Sequence, residues 1–188
     1  MRNQMNWDEL NIIRDDAVEF IREAKKQKPR PDAVKGFCDY LEFVLCLIYD
    51  YGWKDAEQIV GVVPFKDGLD DKAVNLEVKG ETFRDRVQQQ IEDLSEDGLL
   101  RIIDTEAHRD YNTGIYDAAK QSGKPNVMKR WVTMRDDRVR ETHDYLEGTQ
   151  VGLDDYFYTF DGDQALAPGG FTLAENNVNC RCFITLST

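Results

Sequence analysis

LLRIIDTEAHRDYNTGIYDAAKQ (residues 99–121), followed by VMKRWVTM (residues 127–134), is where the hydrophobic period of this chain changes. In the first stretch Leu99, Ile103, Ala107, Tyr111, Ile115 and Ala118 recur at spacings of three to four, which places them on one face of a helix. Its other side carries Asp104, Thr105, His108 and Asn112, either as a solvated face or as a polar network locking the helix to a sheet. Ser122-Gly-Lys-Pro125 ends the helix, with glycine at the C-cap and proline beyond it. The second stretch is rich in β-branched and aromatic residues and reads as a strand. The chain is therefore expected to be α+β: a helical N-terminal half, a long central helix and a small C-terminal β-sheet domain.

Upstream, Asn6 caps a first helix with Glu9 three residues on, and Leu10, Ile13, Ala17, Phe20, Ile21 and Ala24 give its apolar face to about Gln27. Pro29 stops it. Pro31 opens a second helix through Phe37, Leu41, Val44, Leu45 and Ile48, expected to end near Gly52. Apolar residues on nearly every side of that helix require neighbours, within the chain or from another subunit. Gly61, Pro64 and Gly68 punctuate residues 53–80, where one or two brief helices are expected. Thr82 with Asp85 starts a further helix through Phe83, Val87, Ile91 and Leu94, ended by Asp97-Gly98.

Downstream of the strand, a turn at Asp136-Asp137 leads to a short helical stretch through Val139, His143 and Leu146, closed by Gly148. Residues 149–179 read mainly as loop, with a short strand at 156–160, and Phe183–Leu186 forms a final strand. Asn179-Cys-Arg-Cys182 reads as part of that closing strand.

Composition narrows the class. The 188 residues are 41% hydrophobic and 32% charged, which suits a soluble globular domain with a real core. The longest apolar run, residues 41–49, is half the length of a membrane span and contains Glu42, so no membrane partner is expected. The N-terminus lacks a signal-peptide pattern, which suggests a reducing cytoplasm and four cysteines that are free thiols or metal ligands. A net charge of −12 argues against coating nucleic acid. Lys120, Lys124, Lys129, Arg130, Arg135, Arg138 and Arg140 nevertheless crowd one segment, which leaves a weak local DNA contact open.

Three constellations carry chemistry. Cys180, Cys182 and His143, with His108 or an Asp, have the donor types that zinc prefers, and cysteines two apart on a strand share a side. The preferred expectation is no metal, with one cysteine packed inward as a small hydrophobe. His143 would serve as a base beside Glu141 or Asp144, or activate a Cys180 nucleophile, or act with Arg138 and Arg140 on phosphate as in a toxin-like nuclease. No GxSxG, P-loop, HExxH or dinucleotide fingerprint is present, and a structural hydrogen-bonding role for His143 is preferred. Arg138 and Arg140 are expected to pair locally with Asp136, Asp137, Glu141 and Asp144.

Taken in order, Thr105-Glu-Ala-His-Arg109, Tyr111-Asn-x-Gly114, Asp117-Ala-Ala-Lys120, Lys129-Arg-Trp131 with Thr133, Asp137-Arg-Val-Arg-x-x-His143, Leu146-x-Gly148, Pro168-Gly169 and Asn179-Cys-Arg-Cys182 resemble the phage Mu protein F-like minor head protein family, also called head morphogenesis proteins. The resemblance covers residues 99–188, with 1–98 as a helical region carrying the portal or oligomer contact where relatives often have a longer one. It implies structural roles for Thr105, Glu106, Arg109, Asn112, Gly114, Trp131, Asp137, Arg138, Arg140, His143, Leu146, Gly148, Pro168, Gly169, Asn179, Cys180, Arg181 and Cys182, and no catalytic residue. It also implies a phage or prophage protein of few copies, bound to the portal or other head proteins. Such a protein passes from the host cytoplasm during assembly to the head interior, with some relatives linked to DNA packaging or genome delivery. The family's domain is sometimes fused to toxin or ADP-ribosyltransferase modules, and none is expected after Cys182.

Overall fold

The computed structural model describes residues 7–65, 77–78 and 80–188. Four helices come first: α1 (Trp7–Lys26), α2 (Pro31–Val60), α3 (Phe83–Glu92) and α4 (Glu96–Ser122). Then follow β1 (Met128–Val132), the one-turn α5 (Glu141–Asp144), β2 (Gln150–Gly152), β3 (Phe157–Tyr158), β4 (Gln164–Ala165), the one-turn α6 (Ala174–Asn177) and β5 (Phe183–Ser187). The architecture is the α+β arrangement expected from the change of period. The expected cap at Asn6 and any brief helix over 66–76 lie outside the described residues.

α2 and α4 form the spine. The expected stripe of α4, Leu99 to Ala118, is buried throughout, and from α2 it meets a core that includes Leu41, Leu45, Ile48, Tyr49 and Trp53. Each large apolar side chain taken from water contributes about 1.5–3 kcal/mol. α2 does not end at Gly52 but continues to Val60, so residues 53–60 are its last two turns rather than a separate helix. Gly52 lies where α2 crosses α4: a Cβ there would stand 2.9 Å from the Tyr111 carbonyl carbon and overlap its oxygen. Gly114 returns the contact, since a Cβ on it would overlap the Tyr49 carbonyl oxygen and stand 3.0 Å from the Trp53 nitrogen. Two glycines therefore let the backbones touch. Around the crossing, the Tyr49 hydroxyl donates to Asp117 (2.8 Å) and the Tyr111 hydroxyl to Asp55 (2.6 Å).

α3 starts as expected, with a reciprocal capping box between Thr82 and Asp85. It ends earlier than expected, at Glu92, because α4 begins at Glu96 and Gly98 belongs to α4's first turn. Ser95 caps α4 by accepting from the Gly98 N–H (3.1 Å), and a Cβ on Gly98 would meet the Gln90 side chain. Gly123, at φ 63°, closes α4 in the left-handed conformation.

The three-stranded sheet is antiparallel in the order β2-β1-β5, and β3 and β4 form a separate hairpin. In β1, Lys129 and Trp131 face the same buried side, opposite Leu186 and Ile184 of β5. The pairing stops at Val132–Phe183, because the next N–H, that of Thr133, donates to the Glu147 carboxylate (2.6 Å). Asn179–Cys182 is therefore not part of the closing strand, as expected from sequence, but the segment that enters it.

Candidate functional site

His143 sits in α5, whose one turn is closed by backbone bonds from His143 N to Arg140 O (2.9 Å) and from Leu146 N to His143 O (3.0 Å). Its Nδ1 lies 3.5 Å from Cys180 Sγ and 3.5 Å from Cys182 Sγ. The three donor atoms all stand within 4.8 Å of one another, and the residues are 1–3% exposed. Phe171 stacks on the imidazole at 5.4 Å and Trp131 meets it edge-on at 5.4 Å. Both thiols point inward, so the expectation of a single inward cysteine is corrected. The spacing explains this: in an extended segment Cys180 and Cys182 share a side, while Arg181 turns outward to a bidentate pair with Asp136 (2.8 and 2.6 Å). All four cysteines are free thiols.

The two thiols share charge unequally. Hydrogen bonding from the Cys182 thiol, reinforced by His143, holds the Cys180 pKa well below the usual thiol range despite burial. The same bond, with burial, pushes Cys182 upward, against the Trp131 indole and the Arg140 charge.

The residues of the ordered series frame this cluster. Asn112, fully buried on α4, donates from Nδ2 to Cys182 O (3.0 Å) and to His108 O (2.7 Å), and accepts at Oδ1 from Ile184 N (2.9 Å). Thr105 accepts from Asn179 N (3.1 Å), and Asn179 itself is left-handed at φ 57°. Arg140 donates to Val178 O (2.6 Å) instead of pairing with an acid, which corrects the expected local pairing. Arg138, 74% exposed in its side chain, stands 3.8 Å from Asp136, and Asp137 is exposed on the same turn. One turn before Arg109, Glu106 is buried and takes ion pairs from Arg86 (2.8 Å) and Arg109. Pro168 is buried, and Gly169 at φ 89° lies so close to Arg109 that a Cβ would come within 2.8 Å of it. Leu146 is core, and Gly148, at φ 78°, donates to Trp131 O (2.9 Å). The polar side of α4 is thus a network and not a solvated face; His108, 7% exposed, contacts Asp104 O (2.8 Å) and stands outside the thiol–imidazole group.

Several residues that matter here carry no sequence signal strong enough to single them out. Asp163 accepts from the N–H groups of Gln164, Thr172 and Leu173 and from Asn176, folding the loop that carries Phe171. Burial would raise its pKa, but these bonds outweigh that and lower it. Lys129 is fully buried over the rings of Tyr116 (5.2 Å) and Phe157 (5.3 Å), and burial pulls its pKa down to about 8. Asp110, also fully buried, is pushed up to about 7 by desolvation against the pull of Arg109.

A surface cleft of ≈ 570 Å³ lies between α1, α4 and the 138–140 and 179–181 segments. Arg14, Arg138, Arg140 and Arg181 line it with Asp104 and His108. Arg14 pairs with Asp104, and Cys180 lies at the cleft's wall. His143 does not line it. With Arg138, Arg140, Cys180 and Cys182, His143 lines instead a separate pocket of ≈ 10 Å³, so imidazole, arginine and thiol do converge, but around a space that holds about one water.

The family model described as Phage Mu protein F like protein matches residues 72–185. The NAD(+)--arginine ADP-ribosyltransferase EFV of Enterococcus faecalis is 40% identical over 86 residues, 44% of this chain and 17% of that protein. Minor head protein GP7 of Bacillus phage SPP1 is 35% identical over 79 residues, 42% of this chain and 26% of that protein. The matched stretches thus span about a quarter or less of these relatives' lengths. No solved structure matches. With the family match over more than half of its length, the chain belongs to the phage Mu protein F-like family of phage minor head proteins.

Proposed function

We propose that this chain is a non-enzymatic minor head protein that binds the portal and contributes to capsid assembly, DNA packaging or genome delivery. The observation that carries the reading is where the series residues go: Glu106, Asn112, His143, Cys180 and Cys182 are buried, and Asn112 and Arg140 are committed to backbone groups. Such residues hold a module together; a hydrolase or transferase needs a nucleophile or base facing substrate. The relative named as an ADP-ribosyltransferase aligns over 17% of its length, which fits a module shared with longer proteins. No helix among the described residues is long and apolar enough to cross a membrane, and the net charge of −12 makes any DNA contact at the arginine-lined cleft a weak one. The protein would act in the host cytoplasm during assembly and remain inside the head. The helical region that precedes residue 99 supplies the portal contact. Co-expression with the portal protein of the same phage and affinity purification tests this: a stable portal oligomer carrying the chain is expected, and complete separation under low salt would remove the portal assignment.

A further inference from the structure

We propose that His143 Nδ1, Cys180 Sγ and Cys182 Sγ are the protein ligands of a zinc ion that staples α5 to the segment entering β5. This reaches beyond the assembly role and does not depend on it. Three features of the cluster lead to it.

The first is distance. In a tetrahedral zinc site, sulfur at ~2.3 Å and nitrogen at ~2.0 Å from the metal stand ~3.5 Å from each other. Both Nδ1–Sγ separations are 3.5 Å, so the donors already lie on two edges of such a tetrahedron. The second is donor type: two cysteine sulfurs and one imidazole nitrogen are ligands that zinc prefers. An ion at the centre satisfies all three donors. The third is charge. Two thiolates and a neutral imidazole around Zn²⁺ form an electroneutral unit, which suits a site 1–3% exposed and walled by Phe171 and Trp131. On binding, zinc displaces the thiol protons, which leave to solvent.

The ligands are held in place before any metal arrives. Asn112 grips the backbone on both sides of Phe183, and the Arg181–Asp136 pair fixes the outward residue between the two cysteines. A small pocket of ≈ 10 Å³ opens on the cluster beside Met134 and Asn179, which is room for about one water as the fourth ligand. A staple has a purpose here. β2, β3 and β4 are two or three residues long, so a metal would tie together a region with little strand pairing of its own.

The test uses the full chain purified under reducing conditions. Elemental analysis is expected to give about one zinc per chain, cobalt substitution to give the visible bands of a tetrahedral thiolate site, and a strong chelator to lower the melting temperature by about 5 °C or more. Cys182→Ser and His143→Ala are expected to lose the metal and the chelator response, whereas Cys46→Ser keeps both. If those variants fail to fold, zinc titration of the chelated wild-type protein still decides. Absence of stoichiometric zinc binding by the reduced chain, zinc retained by a folded Cys182→Ser variant, or a Cys180–Cys182 disulfide in protein alkylated at lysis would each overturn the proposal.

Discussion

Asn112→Ala removes the side chain that joins the spine of the fold to its sheet. Asn112 is fully buried and holds Ile184 N at 2.9 Å and Cys182 O at 3.0 Å. Alanine leaves that N–H and that carbonyl buried without a partner, and each costs about 1–3 kcal/mol. The space left by the amide adds about 1 kcal/mol. The sum is about 3–7 kcal/mol, which compares with a total stability of about 5–15 kcal/mol for a domain of ordinary size. Urea unfolding followed by tryptophan fluorescence is the assay, because Trp131 lies in β1 beside the affected strand. The midpoint is expected to fall steeply at constant slope. Asn112→Asp sharpens the test. Its carboxylate keeps the acceptor for Ile184 N but sets a second oxygen against Cys182 O, so the variant is expected to be no better than alanine at pH 7. Protonation restores a donor, so its folded pKa is raised and stability returns as pH falls through that value. A loss below about 1 kcal/mol for Asn112→Ala would refute the claim that this residue locks helix to sheet.

Gly114→Ala is expected to destabilise by about 1–3 kcal/mol, because its Cβ meets the Tyr49 and Trp53 backbone, and this exceeds the ~1 kcal/mol gained in helix propensity; a stabilised variant in thermal unfolding would contradict the close crossing. Lys129→Met is expected to raise stability at pH 7 by about 1–3 kcal/mol by removing a buried ammonium. The native Lys129 pKa of about 8 is depressed, so the wild-type chain recovers stability as pH rises through 8 towards 10, and the advantage of the methionine variant should shrink over that window. An advantage constant from pH 7 to 10 would show that Lys129 stays solvated.

The long helix, the capping box at Thr82, the C-cap at Gly123 and the final strand were legible because each rests on local spacing or on a turn residue. Most of the errors come from contacts distant in sequence. Gly52 and Gly98 read as helix ends, yet Gly52 is glycine because the Tyr111 backbone comes too close for a side chain, and Gly98 lies in the first turn of α4 beside the Gln90 side chain. Tyr111 is far away from Gly52 in sequence, so no local window contains the reason. The same holds for Asn112 and His108, whose burial depends on strand β5 and on the loop before it. Arg140 had acidic neighbours in sequence but found a carbonyl at Val178, because the chain returns there after the hairpin. The donor types of the thiol–imidazole cluster were visible; its convergence depended on the placement of α5 over the 180–182 segment.

Whether this chain is a working part of the phage head is decided by quantitative mass spectrometry of purified precursor heads and virions of the phage that encodes it. A few copies per particle, present already in precursor heads, are expected. Reproducible absence of the chain from both, with the major head proteins recovered, would contradict a role in the head.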